Sequence, residues 1–137
     1  ELIEKETRIT LKDMMFYSNN VYSIINNLRN AIDDFRYEHY KVVGYGAAAK
    51  GNTLLNYAGV RPDLVSFVAD RNPAKQGRYM PGSRIPIVDE RRLQEERPDF
   101  VVILPWNLKA EVTRQLDYVS AWGGQFVTAV PHLEIAL

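Results

Sequence analysis

A Rossmann-like α/β domain is what this sequence predicts: a parallel sheet of about five strands with helices on both faces, preceded by a long N-terminal helix. Three observations predict it. From residue 40 onward, short apolar segments alternate with helical ones, as strands joined by right-handed crossovers do. The run Phe100-Val101-Val102-Ile103-Leu104 is apolar without a break, which suits a strand covered on both faces. Gly44, Gly46 and Ala49 spell G-x-G-x-x-A after a strand and before a helix.

The first 39 residues contain no Gly and no Pro. Met14, Met15, Val21, Ile24, Ile25, Leu28, Ile32 and Phe35 recur at steps of three and four, one apolar face of a helix. Thr10 followed by Asp13 is a weak form of the capping box, so the helix is expected from about residue 11 to Tyr37. Two roles are open to a helix of roughly 40 Å. It packs on the sheet that follows, or it links this domain to one upstream. Residues 1–39 and 40–137 are accordingly the two expected units.

Tyr40 to Val43 reads as the first strand, and Asn52 to Ala58 as a helix closed by Gly59. Leu64 to Ala69 is the second strand, ending at Asp70. Arg71 to Arg84 reads as an ordered loop with a tight turn at Pro81-Gly82, and Ile85 to Val88 as a third strand. Asp89 to Glu96 is a polar helix stopped before Pro98. After the fourth strand a helix is expected from Leu108 to Ala121, then a fifth strand from Gln125 to Val130.

Composition removes several classes of function. Of 137 residues 46% are hydrophobic and 25% charged, a globular balance, and no apolar run could span a membrane. Seventeen basic residues offset seventeen acidic ones, so no global field draws the chain to nucleic acid or a membrane surface. Without cysteine there is no disulfide framework, thiolate metal site or thiol nucleophile. His39 and His132 do not make a zinc site, and each reads as structural. Beginning at Glu1 with no signal-like segment, the chain is expected to be a piece of a longer, cytoplasmic protein.

Three places could carry chemistry. In Gly44-Tyr45-Gly46-Ala47-Ala48-Ala49-Lys50-Gly51, the first glycine permits the turn, the second admits a ligand, and small Ala49 lets helix and strand pack. The helix start offers N–H groups to an anion, and Lys50 adds a charge. The same glycines also serve if only strand–helix packing needs them. Asp70, 24 residues after Gly46, either meets ribose hydroxyls or caps a turn. From Arg71 to Arg84 there are four basic residues and no acidic one, which suits a phosphate-bearing ligand or a solvated loop. Past the fourth strand, Trp106 and Asn107 either face the glycine turn, by stacking and hydrogen bonding, or pack locally with Asn107 as a helix cap. Tyr57, Tyr79 and Tyr118 are expected to pack.

The blocks Gly44 to Tyr57, Asp70-Arg71-Asn72-Pro73 with Lys75 to Tyr79, and Pro105-Trp106-Asn107 together resemble the C-terminal domain of S-adenosylmethionine-dependent sugar C-methyltransferases. That resemblance implies a larger enzyme methylating a carbon of a nucleotide-linked keto-deoxysugar. Zinc is implied in a Cys-rich N-terminal region, and the methyl donor and catalytic base in a central domain. The implied chemistry is deprotonation beside the keto group, then attack of the carbanion on the donor's methyl. This domain alone is expected to be inactive and to hold the sugar nucleotide. The residues proposed for that role, on fold geometry, are Gly44, Gly46, Ala47, Ala48, Lys50, Gly51, Asn52, Asp70, Arg71, Asn72, Trp106 and Asn107, with Lys50, Arg71 and Trp106 converging at one edge. The upstream domains and the nucleotide-sugar are the expected partners. The competing classes are an NAD(P)-binding oxidoreductase domain and a ligand-free interaction domain.

Overall fold

The computed structural model describes residues 21–136. Its helices are α1 (Val21–Tyr37), α2 (Ala49–Tyr57), α3 (Arg92–Glu96) and α4 (Lys109–Gln115). Its strands are β1 (Val42–Tyr45), β2 (Val68–Asp70), β3 (Ile87–Asp89), β4 (Phe100–Ile103), β5 (Gln125–Thr128) and β6 (Glu134–Ala136). They form one sheet in the order β3-β2-β1-β4-β5-β6. The first five strands are parallel, and β6 runs antiparallel to β5. Because the chain steps from β1 outward in both directions, a crevice opens at the carboxyl ends of β1 and β4, where such sheets bind ligands.

Alternation along the strands splits the core into two layers. Val42, Val68, Phe100, Val102 and Val127 lie under α1 and α2, while Val43, Tyr45, Ala69, Val101, Ile103 and Phe126 lie under α3 and α4. Helices thus cover both faces, as the apolar run in β4 requires. In α1, Ile24, Leu28 and Ile32 are buried, and the Phe35 ring stacks on Phe100 with centroids 3.7 Å apart. The other face of α1 is open: Tyr22 is 80% exposed and Tyr37 83%. The expected start near residue 11, with Thr10, Asp13, Met14 and Met15, lies outside the described residues.

Helix ends follow local chemistry. Gly59 closes α2 in the left-handed region at φ 70°, and the Val60 N–H donates back to the Leu55 carbonyl at 2.9 Å. The Arg29 guanidinium of α1 donates to the Ala58 carbonyl at 2.8 Å, which places a cation at the negative end of α2. At the end of α1 the same backbone pattern is built on His39, at φ 66°. That position explains His39 structurally, and it is exposed.

Several boundaries differ from expectation. The sheet has six strands, because Glu134–Ala136 after Pro131 adds a short antiparallel edge that three residues cannot signal by periodicity. Helix α2 begins at Ala49 with extended Ala48 as its N-cap, so Lys50 and Gly51 are helical. Leu64 and Val65 form a turn onto the Arg61 carbonyl before β2 begins. Asp89 stays in the ladder beside Asp70 and its carboxylate accepts the Arg91 N–H at 2.9 Å, which delays α3 to Arg92. The helix expected from Leu108 to Ala121 is broken at Leu116, and Asp117–Trp122 continues as a 3-10 segment whose Trp122 indole donates to the Pro98 carbonyl at 2.8 Å. Tyr57 and Tyr79, expected to pack, are 50% and 64% exposed, whereas Tyr118 is half-buried against Trp122.

Candidate functional site

The turn between β1 and α2 is shorter than expected, residues 46–48, because Gly44 and Tyr45 belong to the strand and Ala49 to Gly51 to the helix, and its glycines answer to protein rather than to open space. Gly46 has φ 85°, and a Cβ there would lie 2.6 Å from Pro105 Cδ. A Cβ on Gly51 would come within 2.3 Å of Leu104 Cβ and 2.9 Å of Leu104 Cα. Gly44 lies inside β1, with Val68 close beside it. The segment leaving β4 therefore fills the approach that a dinucleotide's phosphates would need.

The donors of the turn are also engaged. The Ala47 N–H donates to Asp70 Oδ2 at 2.8 Å, and the Ala48 N–H to the Gly46 carbonyl at 2.8 Å. Asp70 Oδ1 accepts the Asn72 N–H at 2.8 Å. Asp70 thus braces the two loops against each other, and both its oxygens are committed. This is the structural reading of that carboxylate, with Asn72 as its backbone partner and the Asn72 side chain holding the Ala74 N–H at 3.0 Å.

A cleft of about 250 Å³ opens between the first turn of α2 and the β2–β3 loop. Its walls are the Ala47–Ala49 segment, Asn52, Lys75, Met80, Pro81 and Ile87. The loop is held in place by α2 and the segment after it: Asn56 Nδ2 donates to the Pro81 carbonyl at 2.9 Å, and the Arg61 guanidinium reaches the Gly82 carbonyl. Lys75 Nζ donates to the Ala47 carbonyl at 2.9 Å, which draws an ammonium to the mouth of the cleft. Asn52 is only 9% exposed, and its Oδ1 is buried with no hydrogen-bond partner. An acceptor buried without a partner costs about 1–3 kcal/mol, and Asn is also a poor helix former.

The expected convergence of Lys50, Arg71 and Trp106 needs correction in its details. All three follow carboxyl ends of parallel strands. Lys50, half-buried on the first turn of α2, does not line the cleft. Arg71 forms a two-point ion pair with Glu90, Nη2 to Oε2 at 3.2 Å and Nε to Oε1 at 3.3 Å, so a carboxylate of the protein already answers its charge. Trp106 is 7% exposed and part of the core layer under α1 and α2, and its indole N–H is buried without a partner. Asn107 is exposed within a short 3-10 turn, which has no side-chain cap. Lys75 was legible as one member of a basic stretch and of the block from Lys75 to Tyr79. The Glu90 network carried no motif.

Among the described residues no group of His, Asp and Glu could hold a metal ion, and no helix is long and apolar enough to cross a membrane. Comparison with known proteins bears on the same three sequence blocks. A family model described as C-methyltransferase C-terminal domain matches residues 1–131. This chain belongs to that family. Over 90 residues, 66% of the chain, it is 36% identical to the C-methyltransferase NovU of Streptomyces niveus, and the match spans 21% of that relative's length.

On the other face of this C-methyltransferase C-terminal domain, Glu90 organises a polar cluster. The Tyr45 hydroxyl donates to Glu90 Oε1 at 2.6 Å, and Gln115 Nε2 donates to the Tyr45 oxygen at 2.6 Å. Burial, then the bond to Glu90 and its negative charge, pushes the Tyr45 phenol well above its ordinary 10.0. Burial and Glu90 push Tyr118 up to about 12. A phenol held neutral by the fold contributes stability that is complete below pH 10 and is lost as pH rises beyond it. Thermal unfolding followed from neutral pH to above pH 10 should therefore show an alkaline fall in Tm. Tyr45→Phe should flatten that fall, and an equally steep fall in the variant would contradict the role given to Tyr45.

Proposed function

We propose that this domain is the substrate-holding part of a cytoplasmic S-adenosylmethionine-dependent C-methyltransferase that acts on a nucleotide-linked keto-deoxysugar. The family membership and the C-methyltransferase relative support the enzyme class. The observation that carries the substrate role is the cleft at the start of α2, whose lining includes both Asn52, with its unpartnered amide oxygen, and Lys75. Backbone N–H groups in the first turn of a helix have no partner within it, so the α2 start favours negative charge, and Lys50 and Lys75 add to that field.

Asp70, at the position where a ribose is held in dinucleotide-binding sheets, accepts two backbone N–H groups instead. That bracing role weighs against a nicotinamide dinucleotide. Donor, zinc and catalytic base belong, on this reading, to the upstream domains, and residues 1–137 alone turn over no substrate. Holding one reactant in register still lowers the barrier of a two-substrate reaction, because orientation is achieved before chemistry begins.

Calorimetry on the full-length enzyme tests the reading. Lys75→Ala should weaken nucleotide-sugar binding by ~1–3 kcal/mol, the range for losing a charge-assisted hydrogen bond. Affinity for the methyl donor should hardly change. Unaltered nucleotide-sugar affinity in that variant would count against this site.

A further inference from the structure

We infer that Arg78 and Arg84 form an electrostatic funnel on the rim of the cleft, which speeds the arrival of an anionic substrate without contacting it once bound. The inference rests on the substrate reading above and adds how the ligand reaches the site.

Folding divides the basic stretch from Arg71 to Arg84 into charges that are answered and charges that are not. Arg71 is held at two points by Glu90, which cancels its field at short range. Lys75 lines the cleft, with its ammonium on the Ala47 carbonyl. Arg78 and Arg84 are exposed, neither lines the cleft, and among the described residues neither guanidinium is paired with a carboxylate. What such a group offers is its field. Between residues 61 and 84 the only acids are Asp63 and Asp70, and Arg61 and Lys75 offset them in number. Arg78 and Arg84 are then the excess, in a chain whose formal net charge is zero.

Both arginines belong to the outer wall. The Arg78 carbonyl accepts the Ile87 N–H at 2.8 Å, and the Arg84 N–H donates to the Met80 carbonyl at 2.9 Å. Ile87 and Met80 line the cleft, so each arginine is one backbone hydrogen bond away from its lining. A charge is felt over about 10 Å at 0.1 M salt, much further than a hydrogen bond reaches. A cleft rimmed by one sign of charge raises the encounter rate of an opposite ion by ~10-fold or more. Charges on a rim act on the rate of arrival, whereas a group in contact with the bound ligand acts on the rate of departure. The four basic residues thus have three duties: Arg71 ties the loop to Glu90, Lys75 meets the ligand, and Arg78 and Arg84 attract it.

Stopped-flow fluorescence on the full-length enzyme, with thymidine diphosphate carrying a fluorophore on its ribose, separates the two rates. In the double variant Arg78→Gln, Arg84→Gln the association rate should fall about three- to tenfold at low salt while dissociation stays within about twofold. The gap from wild type should close near 0.5 M salt, where screening shortens the field to roughly 4 Å. Lys75→Ala should instead act chiefly by speeding dissociation. If the double variant does not fold, Arg78→Gln alone should show a smaller fall of the same kind. An association rate unchanged at low salt, or a loss that lies in dissociation and persists at high salt, would overturn the funnel and leave the substrate reading in place. Failure of thymidine diphosphate, uridine diphosphate and their hexose esters alike to bind the wild type would remove the substrate reading itself, and the funnel with it.

Discussion

Gly46→Ala is expected to destabilise the domain by about 3 kcal/mol, combining ~1–2 for an L-residue in the left-handed region with ~1–3 for overpacking. The backbone at Gly46 has φ 85°, and the new methyl would lie 2.6 Å from Pro105 Cδ, a ring atom that cannot swing away. Gly51→Ala offers a check without the torsional strain, because its cost comes from Leu104, whose Cβ and Cα are 2.3 and 2.9 Å from the added carbon. Urea unfolding of both variants measures the effect. If the glycines were small only to admit a ligand, alanine would cost affinity and leave the unfolding midpoint alone. A midpoint shift below ~0.5 kcal/mol in both would therefore return the turn to the ligand-cradle reading.

Leu28→Ala is expected to cost ~2–5 kcal/mol, the range for truncating a fully buried leucine. Leu28 is 0% exposed, on the strip of α1 that also buries Ile24 and Ile32. A helix that merely joined two domains could lose this side chain cheaply. One that completes a core layer could not, and α1 additionally supplies Arg29 to the end of α2. Denaturation with an unchanged m-value would show a loss of stability within one cooperative unit, whereas a loss below ~1 kcal/mol would make α1 an appendage.

What was legible in the sequence follows from which signals are local. The apolar run in β4 and the Gly59 stop depend on neighbours in the chain, and both lie where the residues indicated. The purpose of Gly46 and Gly51 was not legible, because a pattern of small residues shows that something approaches closely without showing what does. Here it is Pro105 and Leu104, brought from the far side of a crossover. Arg71 misled for a related reason: its charge is visible in the sequence, but Glu90, which answers it, arrives only when β3 pairs with β2. Asn52 could be picked out as part of the Gly44–Tyr57 block, yet the burial of its amide oxygen is a property of the folded chain that no local signal carries. Strand β6 escaped notice since three residues carry too little alternation to register.

Chemical footprinting of lysines on the full-length enzyme reads out whether a nucleotide-sugar is held where α2 begins. Acylation with and without saturating nucleotide-sugar, resolved residue by residue by mass spectrometry, compares Lys75 with Lys41, which precedes β1 at the opposite edge of the sheet and is tied to Glu96. Lys75 should become protected while Lys41 reacts as before. A saturating ligand that leaves Lys75 as reactive as in the free enzyme would place the substrate elsewhere.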